Sequence, residues 1–230
     1  DELIYPKKGT PQGGVISPLL ANIFLHQVLD EWYVEMVRPR LKGRSFLIRF
    51  ADDFIIGCEL EEDARRIMAV LPKRFNRFNL AVHPKKTELV DFRSPNRRND
   101  SGNEKHTFEF LGFTHYWGKS RKGSWVIKRK TAAKRVRRAM KSIWMWCRNH
   151  RHYDMPEQYG ILCSKLRGHY QYYGITGNYK MLEVVFEYTE KAWRRWLGRR
   201  SRDGYISGEE FEKKMRQIFP LPRPRIIHCI

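Results

Sequence analysis

The sequence predicts an α+β fold, in which a small antiparallel sheet packed on helices is followed by an all-α basic bundle. Two β-forming runs meet at Ala51-Asp52-Asp53, which predicts a tight hairpin. Apolar residues recur at helical spacing before and after this hairpin, in residues 17–37 and 61–79. The second half combines helical spacing with many basic residues and tryptophans. We therefore expect two domains, at residues 1–118 and 119–230.

Composition indicates a polyanionic partner. The 230 residues include 45 Lys and Arg against 25 Asp and Glu, a formal net charge of +20. Nucleic acid is the first candidate, and an anionic membrane surface is the competitor. No apolar run approaches the roughly 20 residues of a spanning helix, so we expect no membrane partner. The 4 cysteines show no CxxC spacing, which favours a reducing cytoplasmic compartment over disulfides or a zinc site.

The hairpin places two adjacent carboxylates, Asp52 and Asp53, in the middle of an apolar run at residues 46–57. Desolvation and like-charge repulsion both oppose such a pair, so protons, a cation or solvent must compensate it. At a hairpin tip the two acids offer hard oxygen ligands to a divalent metal. A surface hairpin whose turn is Asp-Asp is the alternative, because Asp is also a common turn residue.

A glycine-rich loop at residues 9–14 precedes the first helix, for which the sequence predicts Ser17 as N-cap and Pro18 as first residue. The glycines beside Gln12 let backbone approach a ligand closely, and a helix N-terminus favours negative charge. Phosphate or nucleotide contact is one interpretation of this loop. A loop with a purely structural role is an equally weighted alternative.

Further segments complete the predicted elements. Pro72 marks a kink or boundary in the second helix, residues 80–92 alternate like a strand, and residues 108–113 form another extended segment. In the second domain we expect helices at 131–150, from Pro156 and from Asn178. Ser207 and Glu210 predict a capping box for a last short helix.

Five motifs occur in the order of the palm motifs of reverse transcriptases. They are Gly9-Thr10-Pro11-Gln12-Gly13-Gly14, Ser17-Pro18-Leu19-Leu20-Ala21-Asn22, Phe50-Ala51-Asp52-Asp53, Lys86-Thr87 and Phe110-Leu111-Gly112-Phe113. The chain resembles the group II intron-encoded class of this family. Leu166-Arg167-Gly168 with Tyr172-Tyr173 is similar to the maturase thumb of bacterial members. The resemblance implies a polymerase palm at 1–118 and a helical thumb at 119–230.

The implied activity is RNA-directed DNA polymerisation by nucleotidyl transfer with two Mg²⁺ ions, for which Mn²⁺ is a substitute. The implied partners are an RNA template, a DNA primer, dNTP and intron RNA, in the bacterial cytoplasm. The thumb is expected to grip the template-primer duplex.

The resemblance also assigns roles to single residues. Asp52 and Asp53 match the metal-binding acids, and Lys86 matches a lysine that approaches the pyrophosphate as charge stabiliser or general acid. Phe50 stands where the family more often has Tyr. The nucleotide and template pocket is matched by Pro11, Gln12, Gly13, Phe50 and Ala51. The primer grip is matched by Phe110, Leu111 and Gly112. The cations expected to bind nucleic acid are Lys134, Arg135, Arg137, Arg138, Lys141, Arg167, Arg194 and Arg195.

One part of the family pattern is not matched. A further metal-binding aspartate and the fingers come from an earlier motif, which Asp1 and Glu2 do not reproduce. We therefore expect a fragment that needs this N-terminal segment as a partner and polymerises poorly alone. The alternative function is a non-catalytic RNA-binding maturase or splicing scaffold with vestigial acids. A nucleotide cyclase with a related palm is disfavoured, because it needs no basic thumb.

Overall fold

The computed structural model describes residues 14–97, 106–200 and 207–229. The chain divides after Asp91 into two compact units. Antiparallel strands and helices occur in both units, which confirms the predicted α+β class. The palm and thumb boundary at 118–119 is a different division, and it stays a prediction.

The first unit begins with a long helical segment. Helix α1 is Ser17–Leu25, and it continues through the wider π-helical turns His26–Glu31 and Tyr33–Val37 into a short 3₁₀ turn at Arg38–Arg40. Its N-cap is Ile16, so the prediction that placed the cap at Ser17 was wrong by one residue. The prediction that this segment reaches about residue 37 is confirmed.

A two-stranded hairpin and a second helix complete the first unit. Strands β1 (Ser45–Phe50) and β2 (Asp53–Cys58) pair antiparallel, and helix α2 is Glu61–Asn76. Helix α2 runs through Pro72 without a break. The core is formed by Val28 and Leu29 of the helical segment with Leu71 and Phe75 of α2, and the inward-facing Leu47 and Phe54 of the hairpin pack against it.

Residues 80–92 do not form the predicted strand. Leu80 and Val82 are half-buried while Ala81 and His83 are exposed, so the alternation seen in the sequence does report burial. Within the described residues, however, no neighbouring strand pairs with this segment. A turn at residues 84–86 interrupts it instead. Side-chain alternation without a partner strand gave the wrong backbone assignment.

The second unit contains a three-stranded antiparallel sheet in the order β3–β4–β5. Strand β3 is Phe108–Phe110, β4 is Phe113–Lys119 and β5 is Trp125–Thr131. The expectation that only helices follow residue 119 missed β5. The strand-forming residues Trp125, Val126 and Ile127 are the local signal for this strand.

The helices of the second unit form a bundle. Helix α3 is Ala133–Asn149, α4 is Met155–Tyr173 and α5 is Tyr179–Leu197. Short helical turns follow at α6 (Gly208–Glu210), Phe211–Met215 and α7 (Arg216–Ile218). The predicted capping box is confirmed, because the backbone N–H of Glu210 donates to Ser207 Oγ at 3.1 Å. None of the helices in the described ranges is long and apolar enough to cross a membrane.

The bundle core includes residues from all three long helices, and the C-terminal segment covers it. Ile143 of α3, Leu166 of α4 and Trp193 of α5 are buried in one cluster. The hydroxyl of Tyr170 donates to the carbonyl of Pro222 at 3.1 Å, which fixes the segment after α7 against α4.

Asn178 joins the sheet of the second unit to its bundle. Its side-chain oxygen accepts the backbone N–H of Thr131, and its amide donates to Thr131 Oγ1 and to the carbonyl of Tyr173, each at 2.8 Å. The residue is 1% exposed. Three satisfied hydrogen bonds offset the cost of burying this amide.

We expect Asn178→Ala to lower the free energy of unfolding by about 2–4 kcal/mol, because it leaves buried backbone and hydroxyl groups unpaired. Urea denaturation followed by circular dichroism measures this change. Asn149→Ala, the same substitution at an exposed helix end, is the matched control and should cost less than about 0.5 kcal/mol. Equal effects of the two substitutions would contradict the role given to Asn178.

Candidate active site

The β1–β2 hairpin presents its two acids at the tip. Phe50 pairs with Asp53, so Ala51 and Asp52 form a two-residue turn. Ala51 has φ of +51°, a left-handed conformation that few residues other than glycine adopt. Asp52 lies in the turn, and Asp53 is the first residue of β2. Both side chains are exposed, so solvent lowers the cost of keeping two adjacent carboxylates ionised.

Arg49 fixes the turn to the helical segment. Its guanidinium donates to both carboxylate oxygens of Asp30, from Nε at 2.8 Å and from Nη2 at 2.7 Å. Its Nη1 donates to the carbonyl of Ala51 and to Asn22 Oδ1, both at 3.0 Å. One side chain therefore joins β1, α1, the π-helical turn and the loop that carries the acids.

The environment of this ion pair is partly buried. The side chain of Arg49 is 13% exposed and that of Asp30 is 24% exposed. Hydrogen bonding from Arg49 holds the pKa of Asp30 below its usual range, against the effect of burial, and His26 adds a smaller contribution. Arg49 was not predicted as a site residue, although its position in the sequence carries a signal. In a strand that alternates, Arg49 occupies an inward-facing position, and a charge there needs a partner.

Asp63 anchors the other end of the hairpin. Its buried carboxylate accepts the backbone N–H groups of Gly43 at 2.8 Å and Lys42 at 3.0 Å, just before β1. The hydrogen bond from Gly43 is the main reason that the pKa of Asp63 lies below its usual value. The hairpin is thus held at its base by Asp63 and near its tip by Arg49.

Lys86 lies in an exposed turn of the first unit. Its backbone N–H donates to the carbonyl of His83 at 3.1 Å. Among the described residues, no hydrogen bond or ion pair links its side chain to Asp52 or Asp53. Pro11, Gln12 and Gly13 lie outside the described residues. Of the predicted nucleotide-pocket residues, only Phe50 and Ala51 are therefore placed, both exposed beside the two acids.

The predicted primer-grip residues form the β3–β4 turn in the second unit. Phe110 pairs with Phe113 across Leu111 and Gly112, which both have positive φ. The hydroxyl of Tyr172 donates to the carbonyl of Leu111 at 3.0 Å.

Tyr173 packs against the same turn from the end of α4. A Cβ atom on Gly112 would lie 3.0 Å from the Tyr173 hydroxyl. The glycine therefore provides both the backbone conformation and the space for this tyrosine. In the sequence, Tyr172 and Tyr173 were only part of the resemblance to a maturase thumb. In the structure they fix the hairpin turn.

The predicted cations are exposed on the bundle helices. Helix α3 has no acidic side chain, and Lys134, Arg135, Arg137, Arg138 and Lys141 all face solvent. Burial raises the pKa of Tyr173, and Arg135 and Arg138 are close enough to oppose that rise. The structure thus brings two predicted cations near the β3–β4 turn.

The remaining predicted cations lie on the other two long helices. Arg167 is exposed on α4, and Arg194 and Arg195 are exposed on α5. The guanidinium of Arg195 lies 5.6 Å from the ring centre of Trp144, toward the other end of α3. All three residues are on the surface of the same unit.

The residues at the hairpin tip are suitable in kind for a divalent cation. In the described ranges, no three His, Cys, Asp or Glu side chains form a cluster that could hold a metal ion. Asp52 and Asp53 supply two exposed carboxylates. Mg²⁺ is commonly held by one or two carboxylates together with water and substrate phosphates, so the donor types fit this ion.

Residues 2–115 match the family model described as reverse transcriptase (RNA-dependent DNA polymerase). This match places a reverse transcriptase domain at residues 2–115. It includes the Asp52–Asp53 hairpin, Lys86 and the β3–β4 turn, and it ends within β4. Strand β5 and the helical bundle lie beyond it. No curated protein matches the chain at a significant level.

We expect Arg49→Met to destabilise the first unit by about 2 kcal/mol at neutral pH, because hydrogen bonds to a charged group are lost. The pKa of Asp30 is lowered in the folded state, so its contribution is complete above its unfolded value and is lost as the pH falls through the folded value. The difference between wild type and variant should therefore shrink as the pH falls below about 4.

Urea denaturation at a series of pH values tests this dependence. The matched control is Arg44→Met, which removes an exposed arginine paired with Glu59 and should change stability much less. A stability loss at Arg49 that stays the same from pH 7 to below pH 4 would show that packing, and not the ion pair, is responsible.

Proposed function

We propose that this chain is the palm and thumb portion of an RNA-directed DNA polymerase of the bacterial group II intron type. The observation that carries the proposal is the coincidence of the family match at residues 2–115 with two exposed carboxylates on a braced hairpin turn. In this proposal the palm is 1–118 and the thumb is 119–230. Its partners are an RNA template, a DNA primer and dNTP in the bacterial cytoplasm, together with an N-terminal fingers and palm segment.

In the proposed mechanism Asp52 and Asp53, together with an aspartate of the N-terminal segment, would hold two Mg²⁺ ions, or Mn²⁺ in their place. The bound ions would lower the pKa of the primer 3′-hydroxyl and stabilise the charge of the triphosphate. Arg49 keeps the turn that carries the acids in place. Lys86 stabilises the leaving pyrophosphate or donates a proton to it. Pro11, Gln12, Gly13, Phe50 and Ala51 line the nucleotide and template pocket.

The second unit is proposed to hold the duplex. The β3–β4 turn supports the primer end, and the cations of the bundle contact phosphates. Two observations support this role: Tyr172 and Tyr173 fix the turn, and Arg135 and Arg138 lie near Tyr173. Charge distribution agrees, because residues 92–230 contain 31 Lys and Arg against 12 Asp and Glu, whereas residues 1–91 contain 14 against 13.

A second candidate is an RNA-binding maturase or splicing scaffold that has no polymerase activity and binds intron RNA. The absence of acids from α3 and the concentration of positive charge in residues 92–230 favour tight RNA binding whether or not the acids are active. The two candidates differ in what they require of Asp52.

Our third prediction is that Asp52→Asn lowers primer extension on an RNA template by at least about 100-fold. The assay uses a polypeptide that contains this sequence and extends a primer, since we expect the 230 residues alone to extend poorly. Affinity for an RNA–DNA duplex should be unchanged or slightly higher, because an acid near phosphates has been removed. Fluorescence anisotropy with a labelled duplex measures that affinity.

The control for this prediction is Glu35→Gln, which removes an exposed acid from the same unit. It should leave both extension and affinity unchanged. Full extension activity in Asp52→Asn would reject the polymerase proposal. Loss of duplex affinity in a folded Asp52→Asn protein would reject the division of roles between the acids and the bundle.

A fourth prediction concerns the cations of α3. The double substitution Arg137→Gln and Arg138→Gln should reduce the slope of log affinity against log salt concentration by about 2, because each phosphate contact contributes about 0.9. The control double substitution, Arg44→Gln and Arg65→Gln, removes arginines already paired with Glu59 and Glu61. It should change the slope by much less, and equal slopes in both variants would exclude α3 from the duplex contact.

A further inference from the structure

The second unit contains a cleft at the far end of the β4–β5 hairpin. Its volume is about 740 Å³, and it lies between residues 92–96 and the strand ends around the hairpin loop. Its aromatic and cationic side chains are Phe92, Arg93, Trp117, Lys119 and Trp125. Strand β4 has seven residues, so at about 3.4 Å per residue the cleft lies roughly 20 Å along the strand from the Leu111–Gly112 turn.

Strand register gathers the cleft side chains on one face. Lys119 pairs with Trp125, and Trp117 pairs with Ile127, the next residue on that face of β5. Because directly paired residues in an antiparallel sheet point to the same side, Trp117, Lys119 and Trp125 are neighbours. Two indole rings and an ammonium group therefore share one surface of the cleft.

Trp117 is held in place before any ligand binds. Its indole N–H donates to the carbonyl of Phe92 at 2.9 Å, and the two rings are 5.8 Å apart between centres. Phe92 also packs edge-on against Phe108 of β3 at 4.8 Å. A ring held by a hydrogen bond and a ring contact loses little conformational freedom on binding, so it is a suitable stacking platform.

The charge of the cleft selects anions. Lys119 Nζ lies 5.7 Å from the ring centre of Trp125, and Arg93 is a second cation among the lining residues. Among the cleft-lining residues that the structure describes, none has a carboxylate side chain, and the adjoining hairpin loop carries the exposed Arg121 and Lys122. A ligand that satisfies both features has a flat aromatic group next to a negative charge.

We propose that this cleft binds unpaired nucleotides of a single strand, with a base stacked on the Trp117 and Trp125 surface and a phosphate at Lys119. Tryptophan stacking accepts every base, and a neighbouring cation strengthens binding of the backbone. The site lies at the other end of β4 from the β3–β4 turn, and it shares no residue with the Asp52–Asp53 hairpin. It requires no polymerase activity, so it stands or falls independently of the proposed function.

Photocrosslinking locates the bound strand directly. The probes are unstructured octanucleotides that carry 5-iodouracil, one RNA and one DNA, each mixed with the 230-residue chain at about 150 mM salt. We expect tandem mass spectrometry to find crosslinks at Trp117 or Trp125 with at least one probe. Equal yields from RNA and DNA would show that the 2′-hydroxyl is not read, and a higher yield from one would identify the preferred strand.

Substitutions test the same site by affinity. Trp125→Ala should weaken octanucleotide binding about tenfold, and Trp125→Phe, which keeps a ring, should recover most of the loss. Lys119→Gln should weaken binding more than Lys128→Gln, the matched loss of one cation on the opposite face of the hairpin. If Trp125→Ala does not fold, the comparison of Lys119→Gln with Lys128→Gln and the crosslinks still test the proposal.

Two outcomes would overturn the proposal. The first is crosslinks confined to other segments, together with equal affinities in Lys119→Gln and Lys128→Gln. The second is binding of a labelled oligoglutamate peptide that depends on Lys119 when octanucleotide binding does not. That result would assign the cleft to an acidic protein segment instead of a nucleic acid strand.

Discussion

The candidate site of the first unit depends on the hydrogen bonds that the guanidinium of Arg49 donates. A two-residue turn that carries adjacent acids is destabilised in two ways. The like charges repel each other, and Ala51 adopts a left-handed conformation. Arg49 binds the carbonyl of that turn while its charge is matched by Asp30. Because the Arg49–Asp30 pair carries almost no net charge, the negative charge at the tip remains that of Asp52 and Asp53. A cation approaching the tip is therefore attracted and not repelled.

A comparable constraint acts in the second unit, where hydrogen bonds between uncharged groups join the elements. Asn178 links the end of β5 to the end of α4, and Tyr172 links α4 to the carbonyl of Leu111. The three-stranded sheet is therefore packed with the helical bundle. Its turn and the basic face of α3 belong to one folded unit, which is consistent with the division of the chain after Asp91.

The sequence predicted those elements whose signal is local. The two β-forming runs around Ala51-Asp52, the helical periods of α2 to α5 and the Ser207–Glu210 capping box depend on neighbours a few residues apart. The prediction of a strand at residues 80–92 was wrong, because a strand needs a partner strand and the periodicity of one segment does not reveal a partner. The inward-facing position of Arg49 is visible in the sequence, but its partner Asp30 is not, because Asp30 lies 19 positions earlier on a different element. The clamp on Leu111 by Tyr172 joins residues 61 positions apart, and no local pattern reveals it.

The distribution of charge gives the two parts of the chain different physical tasks. Nearly all of the excess positive charge lies after residue 91, so that part supplies the long-range attraction for a polyanion. The part that carries Asp52 and Asp53 is close to neutral, and its field neither repels a polyanion strongly nor masks the two acids. Binding strength and the local charge of the acids can therefore be changed independently. A chain in which the same residues had to attract phosphates and hold cations would weaken one property whenever the other was strengthened.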